Sequence, residues 1–545
     1  MNKVAVFALD GATFAVIRPA VEQGELPHLG ALLEKGASGE LESTIPPITG
    51  AAWTTFQTGV NPGRHGAFDW LTREEGSYRL RPISSQMLRQ PRLWDFIGQQ
   101  GGRVCVLGVP VTYPPRAVNG CLISGILTPE GADYTYPPEL GRELEARVGK
   151  FPFQPEHWRG RSRAREWLAE LKRTIEARKK IAQYLLRRTD WDFFMLHLME
   201  LDSVQHQMWH LRDGVTRPRY RVSVEGDPIL EIYRAADLAL GELMAELPRG
   251  TTVFVISDHG FGPLHWNIYL NTWLLEEGYL VLKRGLRTGL KRAAFRLGLT
   301  QERLFPWAER LRLLERGAQL RHGQLHDLLG RFFLSLEDVD WQRTRAYSYG
   351  NIGQIYLNRR GREPEGVVQE AEAEELIEEL LGKLRKLANP YTGEPVIERL
   401  YRKEELYSGE SLAQAAEILL LPRRGCMILG TTDFAAARVV APTFAGSGWH
   451  ELLGVLIAAG EGLARGQVEG ARLLDMCPTI LYAMGLRIPR GLDGRVLEEL
   501  FREDYRRSQP LEWFAEEVEL ALEVEEEGEG WEEEARRRLQ DLGYI

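Results

Sequence analysis

Three apolar runs in this chain each end in an acidic residue. VAVFALDG delivers Asp10, FFMLHLMELD delivers Asp202, and TTVFVISDHG delivers Asp258 with His259. Such runs, bounded by Gly and polar residues and separated by helical patterns, are the signature of parallel strands buried on both faces. An open sheet of that kind binds ligands at the carboxyl ends of its strands. The expected fold is therefore α/β, a mostly parallel sheet flanked by helices, with these acidic tips on one edge. Asp202 and His206 are spaced i, i+4, so a helix starting after the strand would point both side chains the same way, at ligand spacing for a metal. His259 next to Asp258 would face away from it on a regular strand; a bend before Gly260 removes that conflict.

Taken singly, each residue has a bland explanation. An Asp after a strand commonly caps a helix, and His206 or His450 (in SGWHELLG) alone reads as a packed or surface histidine. The Asp-His-Gly end is more specific, because a charged pair at the tip of a buried strand needs a reason to be there. His197 points from mid-strand and reads as core or as support for the site, while His210, one turn beyond His206, competes with it as a ligand. GEGLARG, from Gly460 to Gly466, has neither the glycine spacing nor the following unit of a dinucleotide loop.

Read together, the motifs FALDG, PPITGAAWTTFQTGVNPGRHG, ELDSVQH, SDHGFG, SGWH and LLDMCPTILYAMGLRIPRGLDGRVL resemble the alkaline phosphatase superfamily, and within it the type I phosphodiesterase/nucleotide pyrophosphatase family. The resemblance runs from Asp10 to about Leu497. It places a nucleophile ten residues before the Gly of a TG-x-x-P-x-x-HG element, here Thr58, Gly59, Pro62, His65 and Gly66, and so falls on Thr49. By chemistry alone Ser43, Thr44, Thr54 and Thr55 stay open. The resemblance implies two divalent metal ions, one held by Asp202, His206 and His450, the other by Asp10, Thr49, Asp258 and His259. Mixed Asp and His donors suit zinc, with manganese or iron as alternatives. Few helix breakers occur between Thr49 and Gly59, which reads as a C-terminal cap with Pro62 beyond, so Thr49 is expected at a helix N-terminus.

The implied activity is hydrolysis of phosphodiester or pyrophosphate bonds in a small phosphate ester, a nucleotide among the options, through a phospho-threonine. A phosphomutase and a phosphomonoesterase of the same superfamily are the alternatives, and a catalytically dead binding protein on this scaffold is the remote one. Related pyrophosphatases carry an Asn shortly after the His-Gly, where this chain has Ala67, Phe68, Asp69 and Trp70; Arg64 and His265 are the candidate replacements as a phosphate contact. The sulfatase Cys-x-Pro-x-Arg frame is missing at Thr49-Gly-Ala-Ala.

At 545 residues and 44% hydrophobic the chain can build a large core. A net charge of −9 argues against a dedicated nucleic-acid binder. No run of 18 apolar residues is present, so no membrane span is expected and the expected location is cytoplasmic. Cys105, Cys121, Cys426 and Cys477 are scattered without metal-ligand spacing and read as buried thiols. The expected organisation is a catalytic core from 1 to 280, an Arg- and Leu-rich helical cap from 281 to 345, a second core part from 346 to 502 that delivers His450, and an acidic, partly helical tail from 503 to 545. The oligomeric state is not legible.

Overall fold

The computed structural model describes residues 1–154, 158, 163–216, 224–300, 302–304, 333–430, 434–443, 446–514 and 530–541. Seven strands of the main sheet come first: β1 (Val4–Leu9), β2 (Ala37–Glu42), β3 (Val104–Val109), β4 (Gly120–Ser124), β5 (Thr135–Tyr136), β6 (Phe193–Leu198) and β7 (Thr252–Ile256). β8 (Gly260–Tyr269) follows after the Asp258-His259 bend. β9 (Ala346–Ser348), β10 (Gln354–Leu357), β11 (Ile397–Arg402) and β12 (Ile418–Pro422) form a separate antiparallel sheet in the order β9-β10-β12-β11. β13 (Gly425–Leu429), β14 (Val440–Pro442) and β15 (Gly448–Glu451) all pair with β8. The chain then re-enters the main sheet as β16 (Leu453–Ala459), β17 (Gly466–Gln467) and β18 (Ala471–Arg472).

The ten-stranded main sheet runs β17-β2-β16-β7-β1-β6-β3-β4-β5, with β18 also on β2. Its centre is parallel: β1 lies between β6 and β7, and β3 between β6 and β4, all in one direction. β16 is antiparallel to both of its neighbours. The central strands are apolar throughout because both faces are covered. Ala5, Phe7 and Leu9 of β1 pack with Leu168, Leu171 and Ile175 of one helix and Ile229, Leu240 and Leu243 of another. The alternate residues Val4, Val6 and Ala8 pack with Trp53, Phe56, Ile480 and Leu481 on the opposite face. The mostly parallel α/β architecture expected from the sequence is the one observed.

The helices that matter for the site are α1 (Thr49–Thr58), α2 (Leu93–Gln99), α3 (Ala164–Arg188), α4 (Glu200–Met208) and α5 (Pro228–Glu246). α1 begins at Thr49, and Gly59 ends it in the left-handed conformation (φ 66°), its N–H donating to the Thr55 carbonyl. A side chain at Gly59 would be strained there, which is why a glycine cap is so common. Past β8, α6 (Leu286–Arg296) turns Thr288 and Lys291 onto Asp338 and Phe295 onto Phe434. Residues 301 and 305–332 of the Arg- and Leu-rich cap, and 515–529 and 542–545 of the acidic tail, lie outside the described residues. Among the described residues no helix is long and apolar enough to cross a membrane.

Asp69 joins the segment after α1 to the second sheet. Its buried carboxylate accepts from the Asn351 backbone N–H (2.7 Å), Asn351 Nδ2 (2.9 Å) and Gln354 Nε2 (3.0 Å). Burial raises its pKa to about 6, against the lowering effect of those donors. Removing the carboxylate would strand several buried donors, so Asp69→Ala is expected to lower unfolding free energy by about 3 kcal/mol in chemical denaturation. A loss below about 0.5 kcal/mol, the range of an ordinary surface substitution, would contradict this bridging role.

Candidate active site

The three acidic strand tips meet at the carboxyl edge of the main sheet. Asp10 follows β1, Asp202 sits in the first turn of α4 directly after β6, and Asp258 follows β7. The helix expected after the second run begins at Glu200, and Asp202 and His206 share one face of it, 3.2 Å apart from Oδ1 to Nε2. Asp258 and His259 occupy the bend between β7 and β8. Gly260 serves that bend by close approach: a Cβ there would meet the Leu453 carbonyl oxygen at 2.1 Å.

His450 comes from β15, opposite Phe261 of β8. Its Nε2 lies 3.3 Å from Asp202 Oδ1 and 3.0 Å from His206 Nε2. His259 stacks on His450, with ring centroids 3.6 Å apart. His259 Nε2 is 3.2 Å from Thr49 Oγ1, 3.4 Å from Asp258 Oδ2 and 3.6 Å from Asp10 Oδ1. All seven predicted site residues therefore meet in one buried cluster. Thr49 starts α1, whose first-turn N–H groups point where an anion would sit.

The histidines share one tautomer. His206 Nδ1 lies 3.2 Å from the Gly448 carbonyl, His259 Nδ1 3.0 Å from the Gly260 carbonyl and His450 Nδ1 2.9 Å from the Pro47 carbonyl. A carbonyl oxygen only accepts, so each Nδ1 carries the hydrogen and each Nε2 turns a lone pair into the cluster, as in a metal-ligating imidazole held by its other nitrogen. Burial, then the neighbouring His450, lowers the His259 pKa to about 3, which keeps that ring neutral.

The carboxylates crowd the same space. Burial, then the Asp10 carboxylate, pushes the Asp258 carboxyl well above its ordinary range. Burial alone would raise Asp202 too, but His206 and His450 hold it well below the usual range. Asp10 Oδ1 and Asp258 Oδ2 are buried and have no hydrogen-bond partner among the described residues. Asp202, His259 and His450 offer ligand atoms within 4.8 Å of one another, and so do Asp10, Asp258 and His259. This donor set, lone pairs and carboxylates converging with little to oppose them, fits divalent cations.

Several supporting residues escaped the sequence reading. Trp53, four residues after Thr49 and so on the same face of α1, donates from Nε1 to Asp10 Oδ2 at 3.0 Å. His197 Nε2 meets that oxygen at 2.8 Å, the supporting place anticipated for it. Gln205 donates to the Gly11 carbonyl and accepts from Tyr233, while the Gly11 N–H donates to Asp258 Oδ1. Buried Arg178 of α3 faces Glu200 at 3.4 Å and donates to the His197 carbonyl. Besides His197, which the sequence left as core or support, only the i, i+4 step from Thr49 to Trp53 was open to reading; the others depend on tertiary packing. His210 bonds with Ser447, Arg64 pairs with Asp493 and His265 with Asp213, while Asp69 is engaged by Asn351 and Gln354.

A parallel α/β sheet that gathers Asp and His donors and a helix-initial hydroxyl at its carboxyl edge is the arrangement that the resemblance to the alkaline phosphatase superfamily implied. The chain belongs to the type I phosphodiesterase / nucleotide pyrophosphatase family, whose family model matches residues 4–436. It is thus a hydrolase of the phosphodiesterase/pyrophosphatase type, from a metal-dependent family. Phosphonoacetate hydrolase from Sinorhizobium meliloti 1021, solved with phosphonoformate, shares the fold at TM-score 0.53 and 17% identity, covering 89% of this chain and 95% of its own. Human ectonucleotide pyrophosphatase / phosphodiesterase 5 aligns at TM-score 0.50 and 11% identity, over 92% of this chain and 100% of its own. An inactive threonine-to-alanine form of the murine protein, in complex with AMP, aligns at TM-score 0.50 and 12% identity over the same shares of both chains. No curated protein matches the chain.

The hold on Asp10 Oδ2 gives a specific expectation. Trp53→Phe keeps the ring but removes the N–H, leaving His197 alone on that oxygen. Metal affinity, read by titration with a competing chelator, is expected to fall by roughly tenfold, the lower end of what lost support for a ligand costs. Unchanged affinity would show that Trp53 only packs.

Proposed function

We propose that this enzyme hydrolyses phosphodiester or pyrophosphate bonds through a phospho-threonine on Thr49. The observation that supports it most is the placement of buried Thr49 Oγ1 at the start of α1, 3.2 Å from His259 Nε2 of the donor set. Two divalent cations, zinc for preference on these donors, fit Asp202, His206 and His450 on one side and Asp10, Thr49, Asp258 and His259 on the other. When bound they supply positive charge that favours the alkoxide of the nucleophile and stabilises charge on the phosphoryl oxygens.

The chain's own groups do the rest. Thr49 Oγ attacks phosphorus in line; the Oγ–P bond forms as the bond to the leaving oxygen breaks, and that oxygen departs with its electron pair. First-turn N–H groups of α1 donate to the non-bridging oxygens. Water then attacks the phospho-threonine, returning the Oγ–P electron pair to Thr49, which regains a proton as the phosphorylated product leaves. Trp53 and His197 hold Asp10 in orientation throughout. AMP in the murine relative supports a nucleotide as a substrate for this chain also. A cytoplasmic location is proposed as well, supported by the buried thiols of Cys105 and Cys121, 3.3 Å apart, a pair that a reducing compartment keeps as thiols.

Activity on bis-p-nitrophenyl phosphate is expected to exceed that on p-nitrophenyl phosphate, and Thr49→Ala is expected to remove turnover by several orders of magnitude with the fold intact. Preference for the monoester moves the reading to a phosphatase. A stable phospho-enzyme discharged by sugar phosphates instead of water moves it to a mutase. A Thr49→Ala rate within about tenfold of wild type, about 1.4 kcal/mol in barrier, removes Thr49 as nucleophile.

A further inference from the structure

Two arginines lie buried side by side away from the catalytic donors. Arg92 immediately precedes α2 and is fully buried; Arg116, in the loop after β3, keeps only 8% of its surface exposed. Both guanidiniums turn Nη2 onto one acceptor, the Ser85 carbonyl, at 3.1 Å from Arg92 and closer from Arg116, which also donates to the Leu88 carbonyl at 2.9 Å. Sharing one oxygen brings two positive groups within a few ångströms of each other.

Their other nitrogens are unanswered. Nε and Nη1 of Arg92, and Nε and Nη1 of Arg116, are buried without a hydrogen-bond partner among the described residues. So is Nε1 of Trp94, whose ring lies 5.9 Å from the Arg92 guanidinium carbon. All five atoms are donors. The acidic group near them, Asp95, uses Oδ2 to accept from the Arg92 backbone N–H at 2.9 Å. Burial pushes the Asp95 carboxyl up, against the pull of Arg92, and burial with the adjacent Arg116 lowers Arg92 to about 9.

Water would satisfy the hydrogen bonds of such a pair but not its charge. One carboxylate, Asp95, acts on both buried guanidiniums, so the pair keeps an excess of positive charge that is costly to bury, and the two repel. A planar fork of N–H donors matches the oxygens of a phosphate or carboxylate, and two forks with an excess of donors match a tetrahedral oxyanion best. We infer that Arg92 and Arg116 form a second anion site, separate from the catalytic cluster, that takes a small oxyanion of the phosphate class. The ion enters past Arg116, the member of the pair with residual exposure. It ties the loop after β3 and the Ser85 turn to the start of α2. That loop also touches α1, where Gln57 Nε2 reaches the Pro110 carbonyl at 3.5 Å. The inference stands apart from the catalytic reading, since it uses none of the seven site residues.

The test uses the full-length protein. Crystals soaked in millimolar selenate, a tetrahedral anion located by its anomalous signal, are expected to show a selenium peak within hydrogen-bond reach of both guanidiniums, resolved in space from any peak at Thr49. In solution, the melting temperature is expected to rise with inorganic phosphate. The part of that rise due to this site disappears in Arg116→Met and in Arg116→Gln, which keeps a donor without the charge and serves if the Met variant fails to fold. AMP, whose phosphate carries a bulky nucleoside that a pair of arginines this deeply buried does not accommodate, is expected to give wild type and both variants the same response. The site is overturned if no selenium peak appears between the arginines, or if the variants keep the full phosphate response of wild type. It is overturned as a free-ion site if AMP separates wild type from the variants and phosphate does not.

Discussion

Three carboxylates and three imidazole lone pairs turned into one buried cluster repel unless positive charge lies among them. Asp10, Asp202 and Asp258 arrive from three different strand ends, and His206, His259 and His450 each commit Nδ1–H to a backbone carbonyl, so none of the rings can turn to relieve the crowding. Burial and then the Asp10 carboxylate raise the Asp258 carboxyl, and the second of these causes is the local expression of that repulsion. A cation reverses its sign, converting mutual repulsion into shared attraction. The rest of the molecule is arranged around the need to bring these six groups and Thr49 together from segments some 440 residues apart in the chain (450 − 10).

The sheet does this economically. Parallel strands put their carboxyl ends on one edge, so a polar residue placed after β1, β6 or β7 lands near the others without further specification. The antiparallel entry of β16, with β15 just ahead of it, brings His450 back across β8 to face Asp202. Behind the donors, Trp53 and His197 hold one oxygen of Asp10, and Gln205 and Tyr233 hold the Gly11 turn. These neighbours fix orientation, and their apolar bodies keep water out, which strengthens every charge interaction inside.

The parts legible in the sequence were those written in local pattern. Buried strands appear as continuous apolar runs, the Asp202-His206 pair as helical spacing, and the end of α1 as Gly59. His450 has no such local mark; only its resemblance to a family motif placed it, and the family model ends at residue 436, before it. Asp69 shows the opposite case: a residue in the segment where related pyrophosphatases carry an Asn is a structural bridge, because Asn351 and Gln354, nearly 300 residues later, answer its carboxylate. Arg178 and Glu200, and the Arg92-Arg116 pair, were equally invisible. Buried charge pairing depends on which distant segments meet, and periodicity carries no information about that.

The central claim is that the buried Asp and His cluster is a two-cation centre on which catalysis depends. Elemental analysis of the purified protein, coupled to activity on a diester before and after exhaustive chelation, tests it most directly. The account predicts close to two divalent metal ions per chain, loss of activity on chelation, recovery on adding metal back, and about one ion fewer in His450→Ala. A metal-free chain that keeps full activity would contradict it.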